Sequence, residues 1–112
     1  MVSGNGVRVI AGRISPNGTI ITNPTGGIRS SSKKSKGLYL VHFKQHFQSP
    51  PTAVITVYQP GGTDFSIMGD STQVNALVVS IDCDQMLVKT GDVEGTASDQ
   101  EFAFIALEQL AV

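Results

Sequence analysis

Apolar residues recur at every second position through most of this chain. Between Leu38 and Phe43, alternate positions carry Tyr39, Val41 and Phe43, and the run EFAFIALE repeats the pattern near the C-terminus. A period of two is that of a β-strand, whose side chains point alternately to its two faces. No window keeps a helical period for three turns. The sequence therefore predicts an all-β protein. Several runs are apolar at both sets of positions, which indicates strands covered on both sides, either by a second sheet or by another copy of the chain.

Turn-forming residues divide the chain into short strands. The segment SPNG, Ser15 to Gly18, is typical of a tight hairpin turn, because proline and Asn-Gly favour the backbone angles that such a turn needs. Further turn signals predict eight strands at 7–14, 19–22, 37–44, 52–59, 64–68, 74–82, 86–90 and 101–108. We predict one antiparallel, jelly-roll-like β-sandwich over residues 1–112. Its expected core positions include Val41, Phe43, Ile55, Val57, Val79, Phe102 and Phe104.

The segment 23–37 is the longest stretch without a strand pattern. It is rich in Gly, Ser and Lys and poor in apolar residues, so we predict a flexible loop. Such a loop could be a basic finger that touches acidic sugars or lipid headgroups, or a solvated linker. The sequence leaves both interpretations open.

Two adjacent prolines, Pro50 and Pro51, precede the β-branched run that starts at Thr52. Proline has no backbone N–H to donate and is found at the first residue of a strand, on an edge or in a bulge. The pair therefore predicts an extended entry into the strand. Phe47 is expected to pack under this corner and close the sandwich, which gives the segment a scaffold role.

The charge of the chain is nearly balanced. Its 112 residues carry 8 Lys and Arg against 9 Asp and Glu, a net charge of −1. With basic residues few and aromatic residues sparse beside them, we predict no nucleic-acid binding. No segment approaches the length of a membrane span, and the N-terminus lacks the pattern of a secretory signal. Because only 15% of the residues are charged, Ser, Thr, Asn and Gln supply most of the surface polarity, which is typical of extracellular or virion β-proteins. We expect that location, reached without a signal peptide in this chain.

His42 and His46 are candidate metal ligands. They lie four residues apart and would share one face of a regular strand with Lys44. Two imidazoles there could bind zinc or stack about a trimer axis, but no third ligand is evident, so we predict no metal and no cofactor. The lone Cys83 cannot form an internal disulfide, and we expect a small residue in or beside a turn.

The acidic residues cluster in turns. Asp82 with Asp84, and Asp92 with Glu94, could hold calcium, although turn aspartates more often accept hydrogen bonds from their own backbone. The sequence contains no Gly-x-Ser-x-Gly, no phosphate-binding loop and no His-Glu-x-x-His. We therefore predict that the protein is not an enzyme.

The segment HFKQHFQSPPTAVITVYQ, with its two phenylalanines four residues apart before Pro-Pro, and the closing FAFIA resemble a recurring all-β module. Two groups share that module: head domains of phage tail fibres and bacterial surface proteins, and H-type lectins, which bind N-acetylgalactosamine as trimers. The opening VRVIAGRISPNGTII also looks like the first hairpin of the fibre heads. The resemblance spans Val7 to Leu107 and implies a trimeric β-sandwich.

The sugar contacts of H-type lectins do not carry over to this chain. Those lectins have a tryptophan in the last strand and a loop before it that bears His, Asp and Tyr. This chain contains no tryptophan, and its matching segment, GDVEGTASDQE, contains no His, Tyr or Arg. The resemblance therefore leaves the sugar specificity open.

Two functions fit these observations. The first is a homotrimeric binding head that recognises a cell-surface glycan or receptor through loops at one end of the sandwich, since loops vary on a rigid scaffold. The alternative is a structural domain that trimerises or caps a fibre and binds nothing small. For the first function, the predicted ligand-binding residues are Tyr58, Asp64, Asp70, Asp92, Lys33 and Lys34.

Overall fold

Two antiparallel sheets form the fold. The computed structural model describes residues 6–59, 65–66, 68 and 72–109. Its strands are β1 (Val7–Ile14), β2 (Ile20–Thr22), β3 (Ile28–Ser35), β4 (Leu38–Phe43), β5 (Thr52–Tyr58), β6 (Asn75–Ile81), β7 (Gln85–Gly91) and β8 (Glu101–Gln109). Sheet I has the order β2-β1-β8-β5, and sheet II the order β3-β4-β7-β6. The predicted all-β sandwich is confirmed.

The loops gather at two ends of the sandwich. At the lower end lie the start of β1 and the end of β8, where Val7 pairs with Gln109. At the upper end lie the end of β1 and the start of β8. Sheet II is aligned with this axis, because the Tyr39 hydroxyl at the start of β4 donates to the Pro16 carbonyl at the upper end (2.7 Å). Each candidate site can therefore be assigned to one end.

The core lies between the two sheets and is built from the alternating positions that the sequence indicated. Val41, Phe43, Phe102 and Phe104 are buried there, together with Ile10, Ile14, Ile28, Tyr39, Phe47, Met86, Val88 and Ala106. The rings of Tyr39 and Phe102 meet edge to face with centroids 5.2 Å apart. Ile55 packs against this cluster, and Val57 is half-buried.

The predicted SPNG hairpin is confirmed. The Ser15 N–H donates to the Thr19 carbonyl (2.8 Å) and the Gly18 N–H to the Ser15 carbonyl (2.9 Å). Gly18 has a φ of +92°, in the left-handed region that glycine enters without steric cost. The turn connects β1 to β2, as expected.

The predicted loop 23–37 is wrong over most of its length, because β3 occupies Ile28–Ser35. This strand lies at the edge of sheet II and pairs with β4. Only Ile28 of β3 is buried, and most of its other side chains are exposed. Serine and lysine on an exposed edge strand discourage pairing with other chains, and such a strand has almost no apolar pattern to reveal it.

Two smaller predictions also fail. No strand occurs among the described residues of 64–68, where Phe65 and Ser66 form a turn. Val79 does not face the core but is 46% exposed, on the same side of β6 as the exposed Leu77, and the register of β6 against β7 shifts after Val78 so that Ile81 turns inward. A bulge of this kind breaks the alternation of side chains. Val78 and Ile81 pack against the core instead.

The start of β5 and the burial of Phe47 agree with the prediction for the Pro-Pro segment. β5 begins at Thr52, directly after the prolines, and is an edge strand of sheet I. Phe47 is fully buried, edge to face with Phe43 at 5.2 Å, and its N–H donates to the Cys83 carbonyl (2.8 Å). Cys83 itself lies in the β6–β7 turn, as expected. The corner thus joins three segments of the lower end.

Glu108 holds the same corner from the side of β8. This side chain points inward and is only 7% exposed. Its carboxylate accepts hydrogen bonds from the backbone N–H groups of Gln48 (3.0 Å) and Ser49 (3.1 Å). These hydrogen bonds lower the pKa of Glu108 below its usual range, and the bond from Gln48 has the largest effect.

The stability of the protein should therefore depend on the protonation of Glu108. As the pH falls, the unfolded chain takes up this proton first because its Glu108 has the higher pKa. We expect the free energy of unfolding to decrease from about pH 5 downward, through the pKa of the folded state. Glu108→Gln should be less stable than the parent at pH 7 and should lose less stability on acidification. Urea unfolding at a series of pH values measures both effects.

The exposed Glu94 supplies the matched control, since Glu94→Gln makes the same chemical change. Asp82 and Asp99 also have lowered pKa values. Every variant should therefore still lose part of its free energy of unfolding at low pH. If Glu108→Gln and Glu94→Gln follow the same curve, Glu108 does not clamp the corner.

Candidate functional site

The predicted ligand-binding residues lie near the upper end where the structure describes them. Tyr58 ends β5, Lys33 and Lys34 are in β3, and Asp92 begins the loop after β7. Asp64 and Asp70 lie outside the described residues. No hydrogen bond or ion pair joins any two of the four described residues, so the structure places them at one end without bringing them into one cluster.

Tyr58 belongs to a polar cluster on the outer side of sheet I. The Arg13 guanidinium carbon lies 4.3 Å from the centroid of the Tyr58 ring, within cation–π distance. Arg13 also forms an ion pair with Glu101, to which its Nε donates (3.0 Å). Strand register brings the three together, because Tyr58 is opposite Glu101 on β8. An aromatic ring beside a fixed donor and a fixed acceptor is an arrangement that can hold a sugar.

Lys33 and Asp99 form an ion pair that joins the end of β3 to the connection between β7 and β8 at the upper end. The Lys33 ammonium donates to Asp99 Oδ2 (2.5 Å), and the Gly37 N–H donates to Asp99 Oδ1 (2.7 Å). Both contacts, with Lys33 the stronger influence, lower the pKa of Asp99. The charge of Lys33 is therefore already paired with a carboxylate. Lys34 instead borders a groove of about 420 Å³ on the outer side of sheet II, beside Leu40 and Leu87.

The turn aspartates stabilise their own loops. Asp92 Oδ1 accepts hydrogen bonds from the N–H groups of Glu94 (2.9 Å) and Thr96 (3.0 Å). Asp82 Oδ1 does the same for Asp84 (2.8 Å) and the residue after it (2.9 Å), which lowers the pKa of Asp82. The expected turn role is confirmed for both. Within the described part of the chain, no three His, Cys, Asp or Glu side chains are grouped as metal ligands would be.

The two histidines lie at the lower end, beside an open pocket of about 800 Å³. The pocket is lined by Arg8, Arg29, Lys44 and both histidines, with Asp84 as the acidic lining residue. His46 Nδ1 is 3.9 Å from Asp84 Oδ1, and His42 Nδ1 is 3.4 Å from the Ser30 hydroxyl. Sequence reasoning singled out the histidines and Lys44 between them, but it did not place Arg8 and Arg29 beside them. Arg8 comes from β1 and Arg29 from β3, and only the strand directions bring them to the histidines.

The outer side of sheet I carries a group of apolar side chains on three neighbouring strands. We call this surface the apolar face, and it consists of Val7, Val9, Ala11, Val54, Ala103, Ile105 and Leu107. Val54 is 63% exposed and Ile105 45%, and they are register partners on neighbouring strands. A soluble monomer rarely exposes a contiguous apolar patch of this kind. The Tyr58–Arg13–Glu101 cluster borders the apolar face at its upper end.

Comparison with models of known protein families, with curated proteins and with solved structures gave no match. The resemblance to fibre heads and H-type lectins therefore stays a prediction. Among the described residues there is no helix long and apolar enough to cross a membrane.

Proposed function

We propose that the protein is a non-catalytic, homotrimeric β-sandwich head that recognises a cell-surface glycan or receptor. The observation that carries this proposal is the apolar face of sheet I, bordered by the Tyr58–Arg13–Glu101 cluster. Burial of the apolar face against further copies in a closed ring would remove it from water and avoid open polymerisation. An extracellular or virion-associated location follows from this function.

The Tyr58 cluster is the proposed contact for the ligand. Sugars present apolar C–H faces and hydroxyl groups, so they favour an aromatic ring that has hydrogen-bonding groups beside it. Arg13 holds the ring from one side and is itself held by Glu101. The cluster is thus pre-organised, which lowers the entropy lost on binding. Asp64 and Asp70, which lie between β5 and β6 in the sequence, are proposed to contact the same ligand.

A glycan array with the parent protein and Tyr58→Ala tests the binding function. We expect the parent to bind at least one glycan, and the variant to lose at least about tenfold in affinity, the effect of about 1.4 kcal/mol of lost contact. Thr56→Ala, two residues earlier on the same outer side of β5, is the control and should bind as the parent does. A trimeric parent that binds no glycan or receptor would favour the alternative, a purely structural domain.

A further inference from the structure

The lower-end pocket concentrates positive charge in a chain whose net charge is −1. Three of the 8 lysines and arginines line it, Arg8, Arg29 and Lys44, together with both histidines of the sequence. Asp84 is the acidic residue among the lining residues. Like charges gathered around one concavity raise the local concentration of ligands of opposite sign. The pocket is therefore suited to an anion.

Two of the three cations are available to a ligand. Arg29 and Lys44 are exposed and form no ion pair within the described part of the chain, whereas Arg13 and Lys33 are each paired with a carboxylate. An anion that binds there has no carboxylate to displace from either side chain. A bound oxyanion would supply the missing negative charge.

Arg8 is the positioned cation of the pocket. Its Nη1 donates to the His46 carbonyl (2.5 Å), and its guanidinium carbon lies 6.0 Å from the centroid of the buried Phe47 ring. Glu108 lies behind it, since Arg8 is its register partner on β1 and contributes to the lowered pKa of its carboxyl group. Arg8 thus orders the wall of the pocket, and Arg29 and Lys44 carry most of its uncompensated charge.

The rest of the lining indicates a saccharide. Gln45, Gln48 and Gln85 line the same pocket, and carboxamides offer both donors and acceptors to hydroxyl groups. A volume of about 800 Å³ is large enough for a ligand of several rings, which this open pocket would contact on one side. Phe43 and Phe47 are buried, so these two rings offer neither an apolar anchor for lipid nor an aromatic plate for bases.

We propose that this pocket binds an acidic saccharide, one that carries sulfate or carboxylate groups. Arg29 and Lys44 contact the anionic groups, and the glutamine side chains contact the hydroxyls. The site lies at the end of the sandwich opposite to Tyr58, a strand length of roughly 25 Å away. It is therefore independent of the function proposed above.

A heparin-derived hexasaccharide is the probe, with binding measured by calorimetry at low salt. We expect the parent to bind and the double variant Arg29→Gln/Lys44→Gln to lose at least about tenfold in affinity, since two charge-assisted hydrogen bonds are removed. The matched control is Lys36→Gln/Lys89→Gln, which makes the same change of charge at two exposed lysines outside the pocket. Its affinity should change by less than about twofold because screening weakens charges at a distance.

Each remaining outcome overturns the proposal. Equal losses in the two double variants would mean that net charge, and not the pocket, attracts the probe. The parent protein could also fail to bind the hexasaccharide and instead bind single-stranded DNA or vesicles with phosphorylated headgroups. That result would show that the ligand of the pocket is a phosphate group of a nucleic acid or a lipid, and not a saccharide. Tyr58→Ala should leave hexasaccharide binding unchanged, so this site and the proposed upper-end site fail or succeed separately.

Discussion

Replacing Phe47 by alanine is expected to lower the free energy of unfolding by about 3–5 kcal/mol, the usual cost of removing a buried aromatic side chain. Phe47 has 0% exposure, although it lies in the connection between β4 and β5 and not in a strand. Its ring packs edge to face on Phe43, and the Arg8 guanidinium lies over it. Alanine would leave a cavity beside the Phe43 ring. Thermal unfolding should show a Tm lowered by about 10–25 °C.

Phe65 is the control for this experiment. It is the same residue type, is 97% exposed and lies in a turn. Phe65→Ala should change the free energy of unfolding by no more than about 0.5 kcal/mol, as surface substitutions usually do. Comparable losses in the two variants would mean that Phe47 does not close the sandwich.

The second large effect is expected at Ile105, in the middle of the apolar face. Ile105 lies between Ala11 and Val54 on the neighbouring strands. In the proposed trimer, Ile105→Asp would bury a carboxylate without a partner, which costs several kcal/mol. The dissociation constant of the assembly should then rise at least about 100-fold, and 1.4 kcal/mol accounts for each factor of ten. Light scattering at micromolar concentration should give a trimer for the parent and a monomer for the variant.

Leu77→Asp controls for the introduced charge itself. Leu77 is 52% exposed and lies on the outer side of sheet II, opposite the exposed Lys89. This variant should remain trimeric. If it also dissociates, the loss at Ile105 reflects the added charge and not the burial of the apolar face, and a monomeric parent would refute self-association altogether.

Local patterns were sufficient to predict most strands. The strands that cover the core of a sandwich carry apolar residues at every second position, and this alternation is visible in the sequence. Tyr39, Val41 and Phe43 on β4 are all buried, as their spacing predicts. The pattern fails where pairing, and not burial, makes the strand. β3 is held by its hydrogen bonds to β4, and its serines and lysines show no alternation to detect. After Val78 a bulge changes the side of the sheet that the following residues of β6 face, and composition gives no sign of it.

The candidate sites were harder to predict than the strands. Tyr58 was found from its residue type, but its partners Arg13 and Glu101 are 88 residues apart and meet only because β1 pairs with β8. Lys33 was expected to offer a free charge, and the structure pairs it with Asp99, a residue 66 positions away. The lower-end pocket likewise depends on strand direction. Sequence indicated which residue types were available, and topology decided which of them meet.

The pairing of β1 with β8 also constrains how the protein can fold during synthesis. The first strand lies beside the last one, and both are inner strands of sheet I. β8 is also the partner of β5, so sheet I joins its members only after the final strand has been made. Until β8 has been made, β1 and β5 lack the strand that lies between them. The apolar side chains of Val9 on β1 and Ile55 on β5 therefore stay accessible to other chains. Long-range pairing of this kind folds slowly and exposes the unfinished chain to aggregation. A shortened chain that lacks β8 would keep the β1–β2 hairpin without the sheet to which it belongs.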